Sequence, residues 1–371
     1  MILRREDIQD KCSKILNTID NNNISIINET VELITIGNDL NINVTNGEYY
    51  VRIKLGLNEE VEELHAVVNA QLFLKLISQI TTETIELSVK NDNLIIIANG
   101  NYKLPMIYEN NSMLQLPEIN IENVVNTFTI NNNILLSILT YNTRELNKGV
   151  ASHPVQKLYY VDDKGAITFT SGACVNNFKL SASVKMLLNQ RIVKLFRLFK
   201  NSSDVQFTIG YDPLSNGVTQ TKVKFETSDI CITAILSCDD SFLNSVPEEA
   251  IRSRALKVYP NTIVVNKDDM LQTINRLLLF DRNIKMYSKV VFSYQFMTIY
   301  DVEGNNKEDV YYQSPLNTSF EGYDLMIDLL DIKATLESLT SMYVTINFGD
   351  NQAIVVTSGN IYNVIPEVGT V

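Results

Sequence analysis

The chain has 371 residues, 45% hydrophobic and 20% charged, with four cysteines, two histidines and a formal net charge of −12. This is the composition of a soluble globular protein long enough for several cores, and it argues against a protein whose whole surface grips nucleic acid. No apolar run reaches membrane-spanning length and Met1-Ile2-Leu3 leads straight into charges, so a cytoplasmic protein with no signal peptide and no membrane contact is expected.

Glu6–Ile19 is predicted as a helix with Ile8, Cys12, Ile15, Leu16 and Ile19 on one stripe and Lys11 and Lys14 off it. Strands follow at Ile24–Ile27, Thr30–Ile36, Leu40–Val44 and Tyr49–Leu55, with Gly37-Asn38-Asp39 as a turn. The stretch Val68–Tyr108 begins as a helix, with Asn69 as N-cap and Leu72, Leu76, Ile77 and Ile80 on one face. It continues as short strands at Ile85–Val89, Leu94–Ala98 and Tyr102–Tyr108, separated by Asn-rich turns. Such a unit cannot bury its own apolar face, which predicts repetition.

Asn110–Asn123, polar and containing Pro117, reads as a first linker. The pattern then recurs. A helix over Asn132–Leu146 turns Ile134, Leu135, Ile138 and Leu139 inward and carries Arg144 and Lys148 at its basic end. Strands Lys157–Asp162 and Ala166–Thr170 flank the Asp163-Lys164-Gly165 turn. A helix over Asn189–Lys200 precedes strands Val205–Ile209, Thr221–Phe225 and Ile230–Leu236. In that helix Ile192, Leu195, Phe196 and Phe199 form a core stripe, and Arg191, Lys194, Arg197 and Lys200 lie opposite. No acidic residue occurs from Val184 through Lys200. Solvated faces normally mix signs, so an all-basic face in an acidic chain points to an anionic neighbour, nucleic acid first.

A second linker spans Asp239–Ser253. The last third has a helix over Lys267–Asp281, with Met270, Ile274, Leu277 and Leu278 inward and Arg276 outward. A helix over Tyr323–Thr340 turns Ile327, Leu330 and Leu336 inward, with Lys333 off the stripe, before strands Val344–Phe348, Ala353–Thr357 and Tyr362–Ile365. The thirds share the order and spacing of elements, not residues. They predict an α+β chain of three repeated domains, 1–122, 123–247 and 248–371, each with two helices packed on antiparallel strands.

Catalytic constellations are absent from the sequence. His65 and His153 have no partner at ligand spacing, no glycine-rich phosphate loop occurs, and acidic pairs such as Asp162-Asp163 and Asp268-Asp269 fit turns and caps. Cys12, Cys174, Cys231 and Cys238 show no metal spacing and read as reduced, mostly buried thiols. The expectation is a protein that is no enzyme and needs no cofactor or metal.

The order of elements, with three short stretches, resembles the bacterial-type DNA sliding clamp, the β subunit of DNA polymerase III. Gly37–Val44 is similar to the family's first-domain strand pair, Ile167–Gly172 to its second-domain strand and turn, and Tyr362–Val368 to its chain end. The resemblance implies three sliding-clamp domains per protomer and a head-to-tail ring of two protomers, sheets outside and helices lining the hole. It implies a processivity factor that holds double-stranded DNA without base contacts and tethers a DNA polymerase. Lumen positions implied are Lys11, Lys14, Lys75, Arg144, Lys148, Arg191, Lys194, Arg197, Lys200, Arg276 and Lys333. The homodimer interface falls on Tyr102 and Leu104 at one end and on Leu278 and Leu279 at the other, Leu278 reading equally as core.

A pocket for a short apolar peptide of the polymerase and clamp loader falls on Thr170, Gly172, Ala173, Cys174, Val175, Leu243, Val246, Asp324, Ile327, Asn363, Ile365, Pro366 and Glu367. Here the chain departs from the family, with Ala173 and Cys174 replacing a His and an Arg and Glu367 replacing a Met. A divergent bacteriophage clamp serving its own polymerase accounts for these departures. Two other readings stay open on the sequence: a structural virion component of repeated β-rich domains, and a clamp homologue that no longer closes.

Overall fold

A computed structural model of the chain describes residues 1–16, 18–19, 25–57, 63–140, 158–169, 172–202, 204–213, 219–236, 243–280, 287–313, 321–349 and 353–367. One motif, strand–helix–three-strand meander, recurs six times along it. The first copy is β1 (Ile2–Arg4), α1 (Arg5–Leu16), β2 (Thr30–Ile36), β3 (Asp39–Thr45) and β4 (Tyr49–Gly56). The second is β5 (His65–Asn69), α2 (Ala70–Gln79), β6 (Thr84–Lys90), β7 (Asn93–Ile97) and β8 (Asn101–Pro105). A small hairpin, β9 (Tyr108–Glu109) and β10 (Ser112–Met113), leads into a connector. The third copy is β11 (Val124–Asn131), α3 (Asn132–Thr140), β12 (Leu158–Asp162), β13 (Gly165–Phe169) and β14 (Ala173–Asn177). The fourth is β15 (Lys185–Asn189), α4 (Gln190–Leu195), β16 (Asp204–Pro213), β17 (Thr219–Glu226) and β18 (Ile230–Leu236). A second connector carries α5 (Glu248–Ala255). The fifth copy is β19 (Asn261–Asn266), α6 (Lys267–Leu277), β20 (Tyr287–Phe292), β21 (Phe296–Tyr300) and β22 (Lys307–Tyr311). The sixth is β23 (Asp324–Asp328), α7 (Leu329–Ser338), β24 (Tyr343–Phe348), β25 (Ala353–Ser358) and β26 (Ile361–Pro366).

Local chemistry sets the motif. Four of the six leading strands end on an Asn or Asp whose side chain accepts the first free amides of the next helix: Asn69 from Leu72, Asn189 from Ile192, Asn266 from Asp268 and Asp269, Asp328 from Leu330. The β6–β7 turn puts Asn91 and Asp92 at φ of 50° and 58°, the left-handed pair that a two-residue hairpin requires.

No meander completes its own sheet. Each leading strand pairs with the meander of its partner copy: β1 with β6 and β5 with β2, β11 with β16 and β15 with β12, β19 with β24 and β23 with β20. All described pairings are antiparallel, the pattern of an α+β fold with antiparallel sheets. Last strands of meanders then pair with one another, β4 with β18 and β14 with β26, fusing four-stranded sets into two eight-stranded sheets. The last strands β8 and β22 remain as the edges of four-stranded sheets.

The chain divides into two compact units, Met1–Asn132 with Lys194–Asp239, and Asn133–Val193 with Asp240–Val371. In the first, α1 packs against α2, and Phe128, Phe207, Phe225 and Phe196 form a chain of rings with centroids 4.9 Å apart. In the second, α6 packs against α7, and both bury apolar faces in one cluster with Phe292 stacked on Phe348 at 4.0 Å.

Each eight-stranded sheet has one seam, and a connector runs over it. At the β4–β18 seam Leu116 and Ile119 of the first connector cover Tyr50 and Ile235, and Arg52 pairs with Glu118 at 3.0 Å. Asp212 fixes the same connector by accepting from the amides of Glu122 at 3.0 Å and Asn123 at 2.8 Å. Gly210 lets it lie close, since a Cβ there would meet Ile121 Cγ2 at 2.1 Å. The segment expected as a polar linker is thus a packed strap. At the β14–β26 seam, α5 of the second connector lies against both strands.

Other expectations need correction. Tyr323–Thr340 is not one helix: Leu325 and Ile327 alternate inward on β23, and the helix begins only after Asp328. The buried face of α2 is Ala70, Phe73, Leu74 and Ile77, whereas Leu72 is 53% exposed. The Asn189–Lys200 helix starts at Gln190 and tightens to a 3-10 turn over Phe196–Phe199, with Asn132 Nδ2 donating to the Phe199 carbonyl at 2.9 Å. Ile26–Glu29 is a 3-10 turn, not strand, and Leu16, at the end of α1, is exposed. Thr143–Leu146 and His153 lie outside the described residues.

The caps set a measurable stability. Asn266→Ala strips acceptors from two orphan amides of α6 and is expected to cost about 1 kcal/mol. Urea titration at neutral pH checks this, and a midpoint equal to that of the parent protein contradicts it.

Candidate functional site

The cations of the helices fall into two sets. Lys11, on α1, donates to Asp229 Oδ2 at 2.6 Å, in the turn between β17 and β18. Lys14 pairs with Asp10 one turn earlier at 2.8 Å. Arg276, on α6, grips Glu308 of edge strand β22 with two donors, Nε at 2.9 Å and Nη2 at 2.6 Å. The fields of these three are largely cancelled by their partners.

By contrast Lys75, Lys194, Arg197, Lys200 and Lys333 form no ion pair among the described residues, and Lys75, Arg197 and Lys200 are exposed. Arg197 instead donates from Nε to the Lys194 carbonyl at 2.8 Å. Arg191 is exposed on α4. Arg144 and Lys148 lie outside the described residues. What the free set can do is attract a polyanion without reading it, because ammonium and guanidinium groups meet phosphate wherever it passes.

The carboxylates that neutralise cations near the seam are shifted. Burial draws Asp229 upward, but the hydrogen bond and charge of Lys11 and the Thr227 hydroxyl outweigh it and hold its carboxyl below the usual range. At Asp212 burial is likewise outweighed, by Lys222 at 2.9 Å and by the amides of Asn123 and Glu122.

At the open edges, Leu104 of β8 is buried beneath its sheet and Tyr102 is half-buried. Leu278 packs on the core, while Leu279 is 80% exposed and Phe280 58% exposed just past the end of α6, which packs beside β22. Sequence reasoning missed Phe280. Its signal was an apolar run, Leu277–Phe280, too long for a helix stripe.

The expected peptide positions converge on the β14–β26 seam. Ala173, Cys174 and Val175 face Val364, Asn363 and Tyr362 in register. Gly172 permits that approach, since a Cβ there would lie 1.9 Å from the Val364 carbonyl oxygen. Cys174, Ile327 and Ile365 belong to one buried cluster. The Asn363 side chain is buried, and its Nδ2 has no acceptor among the described residues. Val246 is buried, Leu243 and Glu367 are half-buried and Pro366 is exposed. Asp324 sits apart in an exposed pair with Lys289 at 2.6 Å. Thr170 lies outside the described residues. At the other end of β14 a groove of about 580 Å³ opens between the β12–β13 turn, Phe178–Leu180 and Asn360. Among the described residues no group of three or more His, Cys, Asp or Glu side chains is placed to hold a metal, and no helix is long and apolar enough to cross a membrane.

The arrangement has known counterparts. The DNA polymerase III β subunit of Thermotoga maritima superposes with a TM-score of 0.78 over 100% of this chain and 99% of its own, at 13% identity. The chain has the DNA sliding-clamp fold. The sliding clamp of Bacillus subtilis gives a TM-score of 0.78 at 14% identity, over 100% of this chain and 99% of its own. The β clamp of Helicobacter pylori, in complex with 3,4-difluorobenzamide, gives 0.77 at 14% identity, with both chains covered in full. No protein-family model and no curated protein matches the chain. The likeness to clamps therefore lies in topology, and little of it survives residue by residue.

The shifted carboxylates give an acid dependence. A group whose folded pKa lies below its unfolded value of about 3.9 adds stability that is complete above that value and is lost as pH falls through the folded pKa. Asp229→Asn is therefore expected to lower stability at pH 7 and to flatten the acid limb below about pH 4. Urea midpoints measured across that range check this, and an acid limb identical to the parent's contradicts it.

Proposed function

We propose that the chain is a DNA sliding clamp: a non-enzymatic, ring-forming processivity factor that encircles duplex DNA and tethers a replicative polymerase. The observation that carries this reading is the pairing rule of the sheets. Last strands of meanders pair antiparallel with one another, and β8 and β22 are left open among the described residues. Open edges invite another chain, and the rule supports pairing β8 of one copy with β22 of the next. Such a head-to-tail contact joins unlike edges, so it closes into a ring or extends as a filament. The pairing of motifs supports three clamp domains, 1–122, 123–247 and 248–371, so that two copies would close a ring of six. Tyr102 would meet Leu279 and Phe280 at the joint, with Leu104 and Leu278 packed beneath them.

Inside the ring, Lys75, Lys194, Arg197, Lys200 and Lys333 supply the sequence-independent hold, with Arg191 beside them on α4. Lys11, Lys14 and Arg276 contribute less, because their charges are already answered. The acidic remainder of the surface repels DNA that is not threaded. A short apolar peptide of the polymerase or clamp loader binds at the β14–β26 seam, over the buried Asn363 side chain. Griselimycin is bound to the Pseudomonas aeruginosa clamp, and we propose that it binds this chain at that seam.

A topological hold has a signature that surface binding lacks. Protein loaded on a nicked circular plasmid is expected to stay with it through gel filtration and to run off when the plasmid is linearised. Lys75→Ala with Lys200→Ala is expected to flatten the slope of log affinity against log salt by about 0.9 for each phosphate left without its cation, while Lys11→Ala leaves it unchanged. Equal dissociation from circular and linear DNA overturns the reading.

A further inference from the structure

An ion pair buried on both sides joins the second connector to the body of its unit. Arg252 of α5 donates from Nη2 to Asp162 Oδ1 at 2.7 Å, with the two side chains 10% and 5% exposed. The same Asp162 oxygen accepts the Lys164 amide at 2.9 Å, and Arg252 Nη1 donates to the Lys164 carbonyl at 3.3 Å. One guanidinium thus holds both sides of the β12–β13 turn. A more exposed pair, Glu248 with Lys185 of β15 at 2.9 Å, ties down the first turn of α5.

Besides these pairs, α5 accepts the Tyr259 hydroxyl at the Arg254 carbonyl, 3.1 Å away. It has eight residues, its N-cap Pro247 offers no side-chain hydrogen bond, and only Arg252 and Ala255 are buried. A polar helix this short is marginal alone and gains little from apolar burial. Yet it lies against β14 and β26, the two strands that carry Gly172–Val175 and Asn363–Pro366 close by. Leu243 and Val246 come directly before it, linked by the Val246 amide to the Leu243 carbonyl at 3.4 Å and the Glu248 amide to the Val246 carbonyl at 2.9 Å.

We infer that Arg252 is a positioning residue: its buried pair with Asp162 fixes α5, and through it Leu243 and Val246, as one wall of the peptide site at the β14–β26 seam. The inference rests on the clamp reading for what the wall faces, but not for the anchor itself. Removing one partner leaves the other charge buried and uncompensated, so the connector should release locally before the sheet does.

The test is amide hydrogen exchange on the full-length protein, with griselimycin binding measured beside it. Arg252→Met is expected to speed exchange across 243–256 at least tenfold, with β14, β26 and the solution mass unchanged. Griselimycin affinity should fall at least tenfold, and Arg252→Lys, which keeps charge but not the fork, should lie between. Unchanged exchange across 243–256 overturns the anchor, as does a rise shared equally by β12–β15, which would make the pair a plain stability element. Should Arg252→Met fail to fold, Asp162→Asn, which keeps an acceptor for the turn amide, carries the same expectation for exchange. Parent protein that does not bind griselimycin, with the exchange result as expected, counts against the peptide site and supports the anchor.

Discussion

Every backbone amide of a strand needs a partner, and none of these meanders can satisfy its own outer strands. The leading strand of each motif is given to the neighbouring copy, so neither half of a pair is complete alone. That single constraint generates the rest. It fixes helices between exchanged strands, sets α1 on α2 and α6 on α7, and leaves the last strand of each meander free to pair onward. Two such pairings make the eight-stranded sheets, and the connectors close over their seams. The two strands left over are the reason to expect a second copy.

Charge is organised on the same frame. The chain carries 43 acidic residues against 31 basic ones, so attraction to a polyanion must come from placement and not from the total. Some helix cations are used internally. Lys11 holds a turn across the β4–β18 seam, and Arg276 holds the edge strand β22. Lys75, Lys194, Arg197, Lys200 and Lys333, without ion pairs among the described residues, leave a field that would act on phosphate without regard to sequence. The proposed tether, which would move along DNA, needs this kind of hold, because base contacts would fix it in place.

Much of the fold was legible in the sequence because helix stripes and meanders have periods. Met270, Ile274 and Leu277 fall where a 3.6-residue repeat puts them, and the last meander was read within a residue or two. The leading strands β5, β15 and β23 were hidden. Each is a five-residue run joined directly to an apolar helix, and only the Asn or Asp at the junction marks the break. The phase of α2 was misread because Leu72 and Leu76 offer a second apolar face beside Phe73, Leu74 and Ile77. Of the candidate cations, the helices that carry them were legible but their ion-pair partners were not. Lys11 and Asp229 are 218 residues apart and Arg276 and Glu308 are 32 apart, separations on which periodicity is silent. The straps were missed for a related reason: Leu116 and Ile119 bury themselves on a sheet face with no period of their own.

The central claim is that β8 and β22 are joined between copies, and solution mass tests it most directly. Sedimentation equilibrium at several concentrations and moderate salt is predicted to give twice the 42.0 kDa chain mass. Leu279→Asp with Phe280→Asp should return the single-chain mass without unfolding. A parent protein that sediments as one chain at micromolar concentration would contradict the closed ring.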